Sequence, residues 1–297
     1  MYPFQSKEYQ DLYKKHFVTD HKSIVMCDDT EYEILPDKRA VFVGMKPILN
    51  NQEITDYGDI VNPSKEKIQS HIDKLKTSGV TSVQFDYVRE SSPLFQILSE
   101  MSPGAPNQQE VAPFISLPTS WDSYLESLER TDRKELKRKW KRLETTSYKL
   151  QYFETLKNED DIEMFETFIK LHKLSDQNKE QFMSTLMKDF FRDLLSLQIP
   201  GWKQKLAFLY IDDKPAASIF YFENEKEVLL YNSGYDPEQK YYSAGLLLVA
   251  HLIKKSIEDK KTTFDFLRGN ERYKYDLGGK NEGLFQFIFH FTKSTSF

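Results

Sequence analysis

Cysteine is almost absent: Cys27 is the single one in 297 residues. A lone thiol forms no internal disulfide, so a disulfide-stapled scaffold is excluded and nothing calls for an oxidising compartment. Long apolar runs are missing too. The longest candidate, Leu246-Leu247-Leu248-Val249-Ala250, falls far short of the roughly 18 residues that read as a membrane-spanning helix. The opening Met1-Tyr2-Pro3-Phe4-Gln5-Ser6-Lys7-Glu8 has no apolar h-region of a signal peptide. The expectation is a cytoplasmic, soluble protein. The six histidines are scattered without a His-x-x-x-His pair, so no metal-ligand spacing is present. No Gly-x-Ser-x-Gly elbow and no phosphate-loop lysine motif occurs, which removes the commonest hydrolase and nucleotide-hydrolase readings. An excess of positive charge is also lacking: the formal net charge is −5. That opposes wholesale nucleic-acid binding but leaves room for a local basic patch.

What the chain does have is apolar and aromatic mass, with 39% hydrophobic residues, 22 Phe and 17 Tyr. That is ample for a packed core, and the length suits about two domains. In the carboxyl-terminal half, periodicity predicts a strand at Tyr148–Phe153 and helices at 160–173 and 181–197. Strands follow at Lys205–Ile211, Ala216–Phe222 and Glu227–Ser233, the first two joined by the turn Asp212-Asp213-Lys214-Pro215. A polar loop, Gly234–Tyr242, leads to a helix at 245–258, then to strands at Thr262–Leu267 and Leu284–His290. The amino-terminal half predicts a helix at Ser6–His16, strands at Ser23–Met26 and Ala40–Gly44, a helix at Ser64–Ser78, a strand at Ser82–Tyr87, a helix at Pro93–Met101 and a strand at Val111–Leu117. Both halves can be read as β β α β α β, a weak duplication of topology. The expected class is α/β with a mixed sheet. The expected division is 1–118, a connecting segment 119–147, and 148–297.

The connecting segment reads as one long helix, about Thr119–Thr145, opened by a capping box of Thr119 and Asp122. Its apolar seam is Trp121, Tyr124, Leu125, Leu128, Leu136, Trp140 and Leu143. Its second half carries Arg130, Arg133, Lys134, Lys137, Arg138, Lys139, Lys141 and Arg142. Such a face is either merely solvated or a surface for a phosphorylated ligand; both stay open.

Two segments carry candidate chemistry. Phe264-Asp265-Phe266-Leu267 alternates as a strand, breaks at Gly269, and then presents Arg268, Glu271, Arg272, Tyr273 and Lys274 together, as α/β proteins do at strand carboxyl ends. Glu271 is a candidate acid or base; Asp265 is one too, or a partner for Arg268. Tyr242-Ser243-Ala244-Gly245-Leu246 leads into a helix through small residues. Free N–H groups at a helix amino terminus suit a pyrophosphate, whereas the bland alternative is an ordinary N-cap by Ser243. His172 shares an apolar face with Phe165 and Ile169, and is either a core histidine or part of an acceptor site. Tyr57 and Asp59 either line the acceptor side or stabilise a turn.

Three segments resemble the CelD-like acetyltransferase family of the GNAT superfamily, which is related to the Fem aminoacyl-transferases of peptidoglycan synthesis. They are Thr55-Asp56-Tyr57-Gly58-Asp59; Leu117-Pro118-Thr119-Ser120-Trp121-Asp122-Ser123-Tyr124-Leu125 with the basic helix behind it; and the block from Asn232 to Lys274. The resemblance implies two fused GNAT-like domains. It places the donor's phosphates at Ser243, Ala244, Gly245 and Leu246, with Arg268 beside them. It gives Lys274 an oxyanion or leaving-group role; Tyr273 either orients Lys274 or simply packs, and Glu271 stays the candidate acid or base. Tyr57, Asp59, His172 and Asp265 fall on the acceptor side. Ala244 stands where the family often has proline, Leu277 where an aromatic often precedes the glycine, and the Gln/Arg-x-x-Gly-x-Gly/Ala loop of ordinary GNAT enzymes is missing. The implied activity is N- or O-acyl transfer from acetyl-CoA or another acyl-CoA, without a metal, to a small molecule, a sugar, or a polysaccharide or cell-envelope precursor. Aminoacyl-tRNA as donor, or a non-catalytic glycan- or partner-binding role, are the alternatives.

Overall fold

The computed structural model describes residues 1–48, 53–102, 104–153 and 159–291. Along the chain run α1 (Lys7–Phe17), β1 (Ile24–Cys27), β2 (Thr30–Ile34), β3 (Arg39–Phe42), α2 (Lys65–Thr77), β4 (Ser82–Arg89), α3 (Pro93–Met101) and β5 (Asn107–Ser116). Then come α4 (Trp121–Ser127), α5 (Arg130–Leu143), β6 (Tyr148–Phe153), α6 (Glu159–Ser175), α7 (Gln177–Phe182) and α8 (Thr185–Ser196). The last stretch holds β7 (Lys203–Ile211), β8 (Lys214–Glu223), β9 (Glu227–Tyr235), α9 (Ala244–Glu258), β10 (Thr263–Asp265), α10 (Arg272–Asp276) and β11 (Lys280–His290). The expected α/β class with mixed strand pairing is what the structure shows. No helix among the described residues is long and apolar enough to cross a membrane.

The chain forms two units. The first comprises Met1–Val111 and the carboxyl-terminal segment from Glu282. Its strand order is β1-β2-β3-β4-β11, with β3 and β4 parallel and the other neighbours antiparallel. α2 starts where the Ser64 hydroxyl accepts from Lys67 N, and turns Ile68, Ile72 and Leu75 onto Val83 and Phe85 of β4.

The second unit is Ala112–Asn281, ordered from the end of β5 through β10-β9-β8-β7-β6. β10 is parallel to β9 and antiparallel to β5; β6 to β9 form an antiparallel meander. α9 is buried along most of its length, and its Leu247, Leu248 and Ile253 pack with Ala207, Leu209 and Ile219 of the sheet. This near-continuous apolar character is why Leu246–Ala250 read as a long hydrophobic run.

Several expectations need correction. The divisions at 118 and 147 are not those of the fold: the segment 119–147 is integral to the second unit, and the last strand pairs with β4 in the first. The duplication of topology that counted this strand in the second half therefore does not hold. The long helix is two helices, because Leu128 is extended at ψ 147° and Glu129 at ψ 143°. The Arg133 guanidinium donates to the freed carbonyls of Leu125 and Glu126, and the break lets both Leu128 and Leu136 reach the core. α4 is capped by Ser120, whose hydroxyl accepts from Ser123 N, and not by Thr119. The helix expected at 181–197 is split by Ser184, which caps α8. β2 was not anticipated.

Candidate functional site

β10 pairs with β9 only over Glu227–Leu229, while β9 continues to Tyr235 along β8. After β9 the chain turns through Pro237–Tyr242 and enters α9 at Ser243, which is left-handed at φ 56°. In that conformation the Ser243 hydroxyl makes no capping bond. The amides that open α9 have no acceptor in the preceding helical turn, and no side-chain cap replaces it. The ordinary N-cap reading is thereby set aside, and the residue types that suggested it serve an open helix terminus instead.

That terminus faces a cavity of about 360 Å³. Ser243, Ala244, Gly245, Leu246 and Val249 line it from α9, Ser233, Gly234 and Tyr235 from β9, Ser218 from β8 and Tyr273 from α10. Lys139, Lys179 and Lys240 complete the wall. Gly234 sets the floor: a Cβ there would lie 2.3 Å from the backbone N of His172, so α6 packs on bare backbone.

The charged side chains on the cavity wall are all cations, Lys139, Lys179 and Lys240. Lys179 Nζ donates to the Ser233 carbonyl at 2.6 Å. Burial holds its ammonium below the ordinary lysine value; the Lys274 charge acts in the same direction, while Glu271 and Asp176 oppose it. Ser218 is fully buried, and its hydroxyl has no hydrogen-bond partner among the described residues. Arg142 of α5 donates to the Tyr241 carbonyl and lies 4.7 Å above that ring, tying the basic helix to the turn before α9. Open helix amides beside lysine ammonium groups are the donors that phosphate oxygens accept from.

The Phe264–Lys274 block lies beside this cavity, and its Asp265 and Lys274 are committed to the block's own backbone. The Asp265 carboxylate accepts from Leu267 N at 2.8 Å, holding Leu267 at φ 57° before Gly269 turns at φ 106°. Lys274 is 2% exposed, and its Nζ donates to the carbonyls of Leu267, Arg268 and Gly269 at 3.2, 2.5 and 3.2 Å. Glu271 pairs with the same ammonium at 2.9 Å. Of this block, Tyr273 alone lines the cavity; burial pushes its phenol well above the ordinary tyrosine value. Arg268 contributes its carbonyl to the Lys274 clasp and is not part of the cavity wall.

His172 is a core residue: 1% exposed, between Phe168 and Phe182, with its pKa lowered to about 3 by burial. Its Nδ1 has no partner among the described residues. Tyr57 and Asp59 belong to the first unit. Tyr57 is buried beneath the Arg89 guanidinium, 5.0 Å from the ring. Burial raises the Asp59 carboxyl to about 6, against a pull from the Ile60 N–H.

The structure thus brings Ser243, Ala244, Gly245, Leu246 and Tyr273 to one cavity, and leaves Lys274, Glu271, Asp265, Arg268 and His172 as its supports. Sequence reasoning missed Lys179, Ser218 and the β9 wall. Ser218 carries a faint signal, as the one small polar residue in the aliphatic and aromatic run Ala216–Phe222. Lys179, one charge in a polar segment, carries none. Among the described residues no cluster of histidine, cysteine or carboxylates is built to hold a metal.

With this geometry in view, comparison with known proteins locates the fold. A family model described as "Acetyltransferase (GNAT) domain" matches residues 130–275, the part that builds the cavity. No curated protein matches by sequence. Among solved structures, the C-terminal domain (DUF2156) of a putative lysylphosphatidylglycerol synthetase from Agrobacterium fabrum superposes with a TM-score of 0.63 at 10% identity, covering 95% of this chain and 87% of that one. L-PGS from Bacillus licheniformis gives 0.63 at 10% identity, covering 98% and 94%. FemX gives 0.57 at 11% identity, covering 96% of each chain. At such identities the likeness is one of fold: the chain has the GNAT-type acyltransferase fold.

Proposed function

We propose that the protein is an acyltransferase whose acyl donor is carried on a phosphate ester, an acyl-CoA being the leading form, and is held at the amino terminus of α9. One observation carries this: an uncapped helix terminus opens on a cavity walled by Lys139, Lys179 and Lys240 and backed by the unpaired Ser218 hydroxyl. Helix amides and the ammonium groups of Lys139 and Lys240 bind phosphate oxygens, and the small side chains of Ser243, Ala244 and Gly245 let them approach. The acceptor is an amine or hydroxyl, with a sugar or a polysaccharide or cell-envelope precursor as the favoured class, in keeping with the CelD-like resemblance. Tyr273 orients groups in the cavity, while Glu271 and Lys274 keep the loop around it in shape. A cytoplasmic setting, where acyl-CoA is made, fits this donor.

A second reading rests on α5. Lys139 reaches the cavity, while Lys134, Lys137, Arg138 and Lys141 stay exposed. That track would suit a polyanion longer than CoA, such as aminoacyl-tRNA. Calorimetry separates the two. CoA binding that persists with moderate salt, and that weakens about tenfold in Lys139→Glu/Lys240→Glu, supports the first; binding of tRNA alone, falling steeply with salt, supports the second. Binding of neither sinks the donor proposal. Mass spectrometry of a metabolite extract incubated with acetyl-CoA then seeks the acceptor; a bound glycan with no mass gain would point to the non-catalytic role.

A further inference from the structure

We propose that Lys179, and not Lys274, is the catalytic cation that meets the oxygen of the reacting acyl group. The inference rests on the acyl-transfer reading and assigns a residue within it. An ammonium group has three N–H donors. Those of Lys274 are committed: three backbone carbonyls and the Glu271 carboxylate surround its Nζ, and it does not line the cavity. Moving it to a substrate would strip partners from a buried charge and release the turn at Leu267–Gly269. Lys179 is in the opposite condition. It lines the cavity and, among the described residues, its ammonium makes a single hydrogen bond, to the Ser233 carbonyl. That bond fixes the ammonium against β9 and leaves two donors unspent. Ser233 precedes Gly234, whose cross-strand partner is Ser218, so the unpaired Ser218 hydroxyl sits one residue along the same wall. The spare donors of Lys179 stand beside the helix terminus that takes the phosphates, the arrangement that stabilises a tetrahedral oxyanion.

The step balances without further reagents. The acceptor's lone pair adds to the acyl carbon, and the carbonyl π pair moves onto oxygen, where a Lys179 N–H meets it. The pair returns, the bond from carbon to the thiol sulfur of CoA breaks, and the departing thiolate takes the proton that the acceptor gives up. With water as acceptor the products are the free acid and CoA.

The test uses the full chain and acetyl-CoA, with slow hydrolysis read as thiol release and CoA affinity read by calorimetry. For Lys179→Met the expectation is unchanged CoA affinity within about threefold and a kcat lower by about 100-fold, the usual cost of losing one oxyanion donor. Lys179→Arg keeps the charge and recovers part of the rate. Turnover by Lys179→Met equal to wild type, with CoA still bound, overturns the assignment. A wild-type protein that neither binds CoA nor releases thiol overturns the underlying acyl-CoA reading instead, and the assignment with it. Should Lys179→Met not fold, acetic anhydride labelling of the wild type decides. Acetylation at Lys179 that CoA blocks, with Lys274 unmodified, supports the proposal; labelling of Lys274 in preference to Lys179 refutes it.

Discussion

Gly234 tolerates no side chain, because the backbone of His172 occupies the place where a Cβ would stand. Gly234→Ala is expected to cost at least about 2 kcal/mol through overpacking against a helix backbone that cannot yield, read as a lower urea midpoint. Lys274→Met is expected to cost about 3 kcal/mol, since it abandons three buried carbonyls and an ion pair. Unfolding curves measure it, and an unchanged midpoint would remove the clasp from the account. Titration adds a further expectation. His172 and His251 take up protons near 3 and 4 in the native protein, both lowered chiefly by burial, but near about 6.5 when unfolded. The unfolded chain then binds more protons across that interval, so these residues erode stability as pH falls from about 6.5 toward 3. Asp59 acts oppositely. Its native carboxyl stays protonated up to about 6, against about 3.9 unfolded, so its contribution is lost as pH rises through that window. Asp59→Asn should therefore gain stability over wild type at pH 7 and not at pH 4. The sequence offered these residues by type alone. Lys274 drew its oxyanion role from the family resemblance; its saturation by carbonyls depends on a turn that only the folded backbone makes.

At the scale of elements, most helices and strands were legible from periodicity, and the misses share a cause. The apolar seam from Trp121 to Leu143 fits one helix as well as two, because a break that keeps the buried side chains on one face leaves the pattern intact. Ser120, within that seam's approach, is the local proof of where α4 begins. Ser120→Ala should lower stability by about 0.5–1 kcal/mol, whereas Thr119→Ala should be near neutral; equal effects would contradict the observed cap. The loop before α9 was legible because small residues before an apolar helix are a local signal. Its openness was not, because it follows from the left-handed Ser243.

For the whole molecule, the fold class was readable and the partition was not. β11 is the last strand among the described residues, yet it pairs with β4, laid down some two hundred residues earlier. A fragment ending at 118 therefore lacks a strand its own sheet needs, and is expected to show no cooperative unfolding transition. Residues 112–281, which hold their own buried core, are expected to unfold cooperatively when expressed alone. Calorimetry of both fragments checks this. By itself the sequence determined the alternation of strands and helices, the small residues of the loop before α9, and the local excess of cations on α5, since each is written in neighbouring residues. Only tertiary structure decided that the last strand returns to the first unit, that Lys139, Lys179 and Lys240 converge on one cavity, and which of two lysines keeps donors to spare. These depend on contacts between residues far apart in the chain, which hydrophobic burial brings together and local propensity does not encode.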